Sequence, residues 1–285
     1  MSKKKIVVVL SGGGAKGSYQ VGAMANFKDI EEHVVGYVGV SVGGMNSSLA
    51  GQYGLDGLHQ IWKNIRGKHV YKKYGRLRSA WRLYKKGAIR SGAPLNELIR
   101  RYITPGVGKK VSVGAANISK GTFDTFDVDH PKYLDAILAS GSIPGVIPPV
   151  KIDGNLYWDG GVLNVTPLKK AIEMEPDALI IVLCSPYPGY PKELKGKASG
   201  PNLIKHVLSM TMNEAFQSDL REFIYKNSQE GYKHIPYVII APDFDLGSSD
   251  DFSLPLYEAR YNKGYTDAGE AWPKIAELIK GDTDG

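Results

Sequence analysis

Twice within its first 52 residues the chain passes from a short apolar run through a glycine-rich turn into a helix-forming stretch, and no other feature restricts its fold as strongly. Lys5-Ile6-Val7-Val8-Val9-Leu10 is a β-branched run of strand length. It feeds Gly12-Gly13-Gly14-Ala15-Lys16-Gly17 and then helical signal from Tyr19 to about Phe27. Tyr37-Val38-Gly39-Val40 closes a second buried strand, Ser41 stands on the turn, and Val42 to Gln52 starts a helix of small residues. Strand signals recur near 111–117, 178–184 and 236–241, with helices between. Alternation of this kind stacks strands side by side and lays helices over them. The expected fold is therefore α/β, a three-layer sandwich whose mostly parallel central sheet is covered by helices on both faces. Val111 to Phe126 reads alternatively as a hairpin about Ser119-Lys120-Gly121, which makes the sheet mixed. With 285 residues, 42% of them hydrophobic, and no internal repeat or long linker, a single domain over 1–285 is expected.

Gly39-Val40-Ser41-Val42-Gly43 has the form Gly-x-Ser-x-Gly. In a chain with 34 glycines, ~0.3 such matches arise by chance, so the context must carry the motif. That context fits a nucleophile elbow after an early strand: a serine on a sharp strand-to-helix turn has its hydroxyl pushed out of the sheet, and flanking glycines permit the close backbone approach. Ser41 also falls near a helix N-terminus, where backbone N–H groups favour developing negative charge. The motif alone reads equally as a glycine-rich connection with an incidental serine.

The glycine run matches Gly-x-Gly-x-x-Gly, so a dinucleotide site is the first alternative. Such a site needs an acid at the end of the second strand for the ribose hydroxyl. Here that strand ends at Ser41, and Asp29, Glu31 and Glu32 all precede it. A phosphate-binding Walker loop also fails, because Gly17 is followed by Ser18. What remains is a nest of backbone N–H groups at the same sheet edge as Ser41, suited to holding an oxyanion. Lys16 is either solvated or directly involved.

A serine nucleophile requires a base. Of the six histidines, only His206 and His234 lie downstream of Asp159; the first falls in an apparent helix over 202–229 and the second just before a strand. Both read as structural or surface residues. Asn155-Leu156-Tyr157-Trp158 reads as a strand that delivers Asp159 into a Gly160-Gly161 turn, and a carboxylate bonded to a serine hydroxyl can act as general base. An Asp-Gly hairpin turn is the plainer reading of the same residues.

Taken in order, Gly12 to Gly17, Gly39 to Gly43, the proline-containing stretch Ala139 to Pro149, and Asp159-Gly160-Gly161 resemble the patatin-like phospholipases. The resemblance spans positions 6 to 161. It implies a Ser-Asp dyad without histidine, an oxyanion hole built by the glycine loop, and calcium-independent hydrolysis of lipid acyl esters, with no metal or cofactor. Position by position it implies Ser41 as nucleophile, Asp159 as proton acceptor, and the backbone of Gly12, Gly13 and Gly14 as oxyanion hole. Lys16, Gly17, Gly39, Gly43, Gly160 and Gly161 support these motifs, and family members carry Arg or Lys at the position of Lys16. A catalytic core over about 5–175 is implied, with about 176–281 completing the same domain. A transacylase on the same dyad, or a non-catalytic lipid- or nucleic-acid-binding module, are the alternatives.

The net charge of +7 is unevenly distributed. Between Lys63 and Lys110 stand 15 Lys or Arg and one acid, Glu97, a local excess of +14 that leaves −7 for the remainder. Tyr71, Tyr74, Trp81, Tyr84 and Tyr102 are interleaved, a mixture suited to the interface of an anionic bilayer. Lys72, Lys73, Arg76, Arg78, Trp81, Arg82, Lys85 and Lys86 are the candidate lipid-facing residues. The same composition suits nucleic-acid phosphates or a solvated helical face, but an acyl-ester lipid and an anionic membrane surface are the expected partners. Lys3-Lys4-Lys5 precede only five apolar residues, too few for a secretory signal core, and no apolar run is long enough to span a membrane. A cytoplasmic protein with peripheral membrane contact is expected, its oligomeric state open. The lone Cys184 reads as a buried apolar filler, and a single cysteine fits a reducing compartment. Ser185 to Pro201 reads as a lid or disordered loop, the apolar spacing from Leu203 to Ile224 as a helix facing the core or, alternatively, an acyl-chain tunnel, and Gly281 to Gly285 as a frayed tail.

Overall fold

β-Branched runs set the centre of the sheet. Ile6–Leu10 forms β1 and passes through the glycine turn into α1 (Gly17–Met24); Val34–Val40 forms β2 and leads into α2 (Val42–Lys63), which is interrupted at Gly54. Next come α3 (Gly67–Val70), α4 (Arg76–Lys86) and α5 (Ala93–Tyr102), before β3 (Lys110–Asn117), β4 (Thr122–Asp127) and α6 (Tyr133–Ser140). Two short strands, β5 (Val150–Ile152) and β6 (Asn155–Asp159), precede α7 (Leu168–Ile172) and β7 (Ala178–Val182). The chain finishes with α8 (Gly200–Asn227), β8 (Tyr237–Ile240) and α9 (Leu254–Ile279). The computed structural model describes residues 3–187, 200–230 and 233–280. The stretch 188–199, most of the expected lid, and the tail 281–285 lie outside the described residues.

The eight strands among the described residues join one mixed sheet. Its centre is parallel, in the order β3-β2-β1-β7-β8. The expected hairpin is present: β4 runs antiparallel to β3 from Ser112 opposite Asp127 to Asn117 opposite Thr122. β6 also pairs antiparallel with β3, and β5 with β6.

The alternation of β1 separates two apolar layers. Ile6, Val8 and Leu10 face a core shared with Tyr19 and Met24 of α1, Leu49 of α2, Ile137 of α6 and Tyr257 of α9. Val7 and Val9 face the opposite layer, where Leu168 of α7 and Phe216, Leu220 and Phe223 of α8 cover them. Helices thus lie on both faces, as expected. The α8 reading holds for its C-terminal half; Leu203, Val207 and Met210 are exposed. Cys184 is fully buried two residues past the end of β7, as its sequence context predicts. No helix among the described residues is long and apolar enough to cross a membrane.

Candidate active site

Strand β3 brings the two candidate catalytic residues together. Its Gly114 is opposite Val40 at the end of β2, and its next residue, Ala115, is opposite Asp159 at the end of β6. Because β4 occupies the other edge of β3 along Ser112–Asn117, β2 and β6 share one edge and meet end to end there. Ser41, one residue past β2, is therefore delivered to Asp159 by backbone pairing alone.

The turn at Ser41 is the sharp one that the motif requires. Ser41 has φ 56° and ψ −127°, a conformation that costs a residue with a Cβ about 1–3 kcal/mol and persists only when its surroundings enforce it. Its N–H donates to the Ser140 hydroxyl at 2.7 Å, and its carbonyl accepts the first helical bond of α2 from the Met45 N–H. A Cβ on Gly43 would fall on the carbonyl oxygen of Leu10, and one on Gly39 on that of Gly43, so the elbow packs only with glycine on both sides. Ser41 is 7% exposed.

Asp159 is buried beside it. Its Oδ1 accepts the Gly161 N–H at 2.8 Å, and its own N–H donates to the carbonyl of Ser142 at 2.9 Å, so Gly161 and the 139–149 stretch fix the carboxylate from two sides. Burial pushes the Asp159 pKa up to about 6, while hydrogen bonds from the Gly161 N–H and the Ser41 hydroxyl pull it the other way. Gly160 lies directly against the backbone of Gly114, where a Cβ would crowd its carbonyl. Among the described residues no histidine hydrogen-bonds to Ser41 or Asp159.

The glycine loop faces Ser41, with a Cβ on Gly12 reaching the Ser41 Cβ at 3.3 Å. One of its three amides is already engaged: the Gly12 N–H donates to the carbonyl of Val165 at 3.1 Å. The N–H groups of Gly13 and Gly14 have no partner among the described residues. Gly17 supports the loop through packing, since a Cβ there would meet Val42 at the start of α2. The Lys16 side chain is largely buried, and its ammonium pairs with Asp245 at 2.7 Å.

Several positioning residues carry no motif of their own. The Gln20 amide donates to the carbonyl of Ser11 at 2.8 Å, and Asn46 donates to Gln20 while accepting from the Trp62 indole, a buried relay beneath the glycine loop. Buried Arg260 donates to the carbonyls of Leu246, Ser248 and Asp251. The loop so held offers the Ser249 carbonyl to the Ala15 N–H at 2.8 Å, next to the two open amides.

The basic segment is split by the fold. Lys72, Lys73, Arg76, Arg78, Lys85 and Lys86 are exposed, as is Trp81. Arg82 departs from the expected surface set: it is half-buried, donates to the Arg90 carbonyl at 2.7 Å and lies over Tyr74. Tyr71 is buried and donates its hydroxyl to the carbonyl of Asp250. No group of three or more His, Cys, Asp or Glu side chains among the described residues could hold a metal ion.

Comparison with known proteins adds the family. An uncharacterized NTE family protein of Mycobacterium tuberculosis is 25% identical over 202 residues, covering 70% of this chain and 52% of the relative. A protein of Invertebrate iridescent virus 6 named probable lipid hydrolase 463L is 29% identical over 185 residues, 58% of this chain and 63% of that protein. The chain thus spans about half the length of the mycobacterial relative it matches. Among solved structures, VipD from Legionella pneumophila aligns with a TM-score of 0.47 at 14% identity, over 94% of this chain and 66% of VipD. Human GIVD cytosolic phospholipase A2 aligns at 0.43 and 11% identity, over 96% and 59%. The family model described as patatin-like phospholipase matches residues 8–172, a span that holds the glycine loop, the elbow and Asp159. The chain belongs to the patatin-like phospholipase family.

Proposed function

We propose that this chain is a lipid acyl hydrolase of phospholipase A type, acting through Ser41 and Asp159 without calcium. The observation that carries this reading is a serine in an enforced positive-φ elbow, delivered by β3 pairing to a buried carboxylate whose pKa burial raises to about 6. The Ser41 oxygen attacks the ester carbonyl carbon while Asp159 takes its proton. Negative charge moves onto the carbonyl oxygen, where the Gly13 and Gly14 N–H groups receive it; one such donor is worth roughly 3–4 kcal/mol of transition-state stabilisation. Collapse expels the lysolipid alkoxide, which takes the proton back from Asp159 and leaves an acyl-Ser41 ester. Water, deprotonated by Asp159, then releases the fatty acid by the same steps in reverse order.

Fatty acid release from mixed phospholipid vesicles tests the proposal, with a chelator present to remove calcium. Wild type is expected to release fatty acid, Ser41→Ala to fall to background, and Asp159→Asn to lose roughly 10²–10⁴-fold. Undiminished release by Ser41→Ala would refute the assignment, and release abolished by the chelator would refute calcium independence.

A further inference from the structure

Helix α4 has no buried residue along its 11 positions, although it is framed at both ends. Lys72 and Ser91 exchange backbone hydrogen bonds at the base of the excursion, and Ala88 is bridged to Gly145. Inward, Ser79 and Arg82 are half-buried, and Arg82 bonds to Arg90. Outward, Leu77 is 90% exposed, Trp81 56% and Tyr84 83%. With Ala80, these residues recur at the i, i+3, i+4 and i+7 positions of one face, an arc of about 100°. Arg78 and Lys85 border that arc on one side and Arg76 on the other. From Lys72 to Arg90 there are eight cations and no acid.

We infer that α4 is an interfacial anchor that lays the stripe of Leu77, Trp81 and Tyr84 into the surface of an anionic lipid bilayer. The inference deepens the proposed function and rests on it, since a bilayer supplies substrate as well as surface. A predominantly polar amphipathic helix, with aromatic and aliphatic residues on one face and Lys or Arg beside them, lies in the plane of the headgroups. Each cation near an anionic surface strengthens binding roughly fivefold. Nucleic acid would engage the cations but has no use for the apolar stripe. A second copy of the chain would oppose two dense cationic faces, which repel. The anchor joins the body next to the site: Gly87 lies against the ring of Trp158, the residue before Asp159, and Ile89 and Arg90 donate to the carbonyls of Gly145 and Val146. Docking α4 therefore orients the Asp159 side of the molecule toward the lipid.

Vesicle co-sedimentation tests the inference in a Ser41→Ala background, so that binding is read whether or not the proposed chemistry holds. The probes are vesicles of phosphatidylcholine alone and of phosphatidylcholine with phosphatidylserine. Binding is expected to the anionic vesicles, with at least roughly tenfold loss both in Leu77→Ser/Trp81→Ser, from the apolar area removed, and in Arg78→Glu/Lys85→Glu. Bilayer-embedded brominated lipid is expected to quench tryptophan emission, and less so in Trp81→Phe. Equal binding to both vesicle types, undiminished binding by either double variant, or quenching unchanged in Trp81→Phe would overturn the inference. So would duplex DNA bound more tightly than the anionic vesicles, or a wild-type dimer that Leu77→Ser/Trp81→Ser dissociates. Docking that persists while the wild type releases no fatty acid would leave the anchor standing and remove the hydrolase reading.

Discussion

In the proposed mechanism Asp159 is the residue on which the chemistry turns, because one environment sets both its reactivity and its cost. Only its carboxylate form would accept the Ser41 proton, and burial raises its pKa to about 6. The pH profile of kcat/KM on a soluble monomeric ester is therefore expected to fall as pH drops through about 6; a profile flat from about pH 5 to 8 would exclude Asp159 as base. The same raised pKa acts on stability with the opposite sense. Between the ordinary 3.8 and about 6 the native state holds a proton that the unfolded chain has lost, so this contribution is present at low pH and disappears as pH rises through about 6. Asp159→Asn is thus expected to gain stability relative to wild type on going from about pH 4 to pH 7, by at most roughly 3 kcal/mol, read from urea unfolding at both pH values. The elbow makes a third residue decisive: Gly43→Ala places a Cβ on the Leu10 carbonyl, and a loss of at least ~2 kcal/mol is expected in the same assay.

At the scale of elements, the glycine loop is held from the C-terminal part of the chain. Arg260 on α9 organises the 245–251 turn, and that turn holds Ala15 and Lys16. Arg260→Lys keeps the charge but not the three-way fork. It is expected to lower kcat about tenfold with KM little changed, measured well below the unfolding temperature, together with a stability loss of about 2 kcal/mol. A stability loss with kcat unaltered would make Arg260 merely structural. This dependence was not legible in the sequence, since a lone arginine on a long helix has no local signature. The strands were legible, because Ile6–Leu10 and Ala178–Val182 are apolar runs of strand length and Ser119-Lys120-Gly121 supplies a turn. Ser41 and Asp159 could each be singled out from their turns, but their convergence depends on β3 pairing with β2 and β6 along one edge, a non-local register that no motif encodes. Engagement of the Gly12 amide by Val165 is equally non-local. Ser140, which holds the elbow N–H, lay inside the recognisable 139–149 stretch without any sign of its task.

The whole molecule joins its two halves through the sheet. β1 is flanked by β2 on one side and β7 on the other, and α9 packs so closely on α1 that a Cβ on Gly22 or Gly264 would strike the backbone of the facing helix. A fragment ending at residue 176 would expose the full edge of β1, and is expected to give no cooperative urea transition where the intact chain gives a single one. A cooperative fragment would mean that the C-terminal part is a separate domain. Charge is divided on the same scale, with an excess of +14 over residues 63–110 set against −7 for the remainder. All of this serves to bring one serine, one buried carboxylate and two open amides together. The measurement that tests that claim most directly is covalent labelling with a fluorophosphonate lipid analogue, read by intact mass and peptide mapping. A single adduct on the Ser41 peptide, absent in Ser41→Ala and slowed in Asp159→Asn, is the predicted result; labelling elsewhere, or at an undiminished rate in Asp159→Asn, would contradict it.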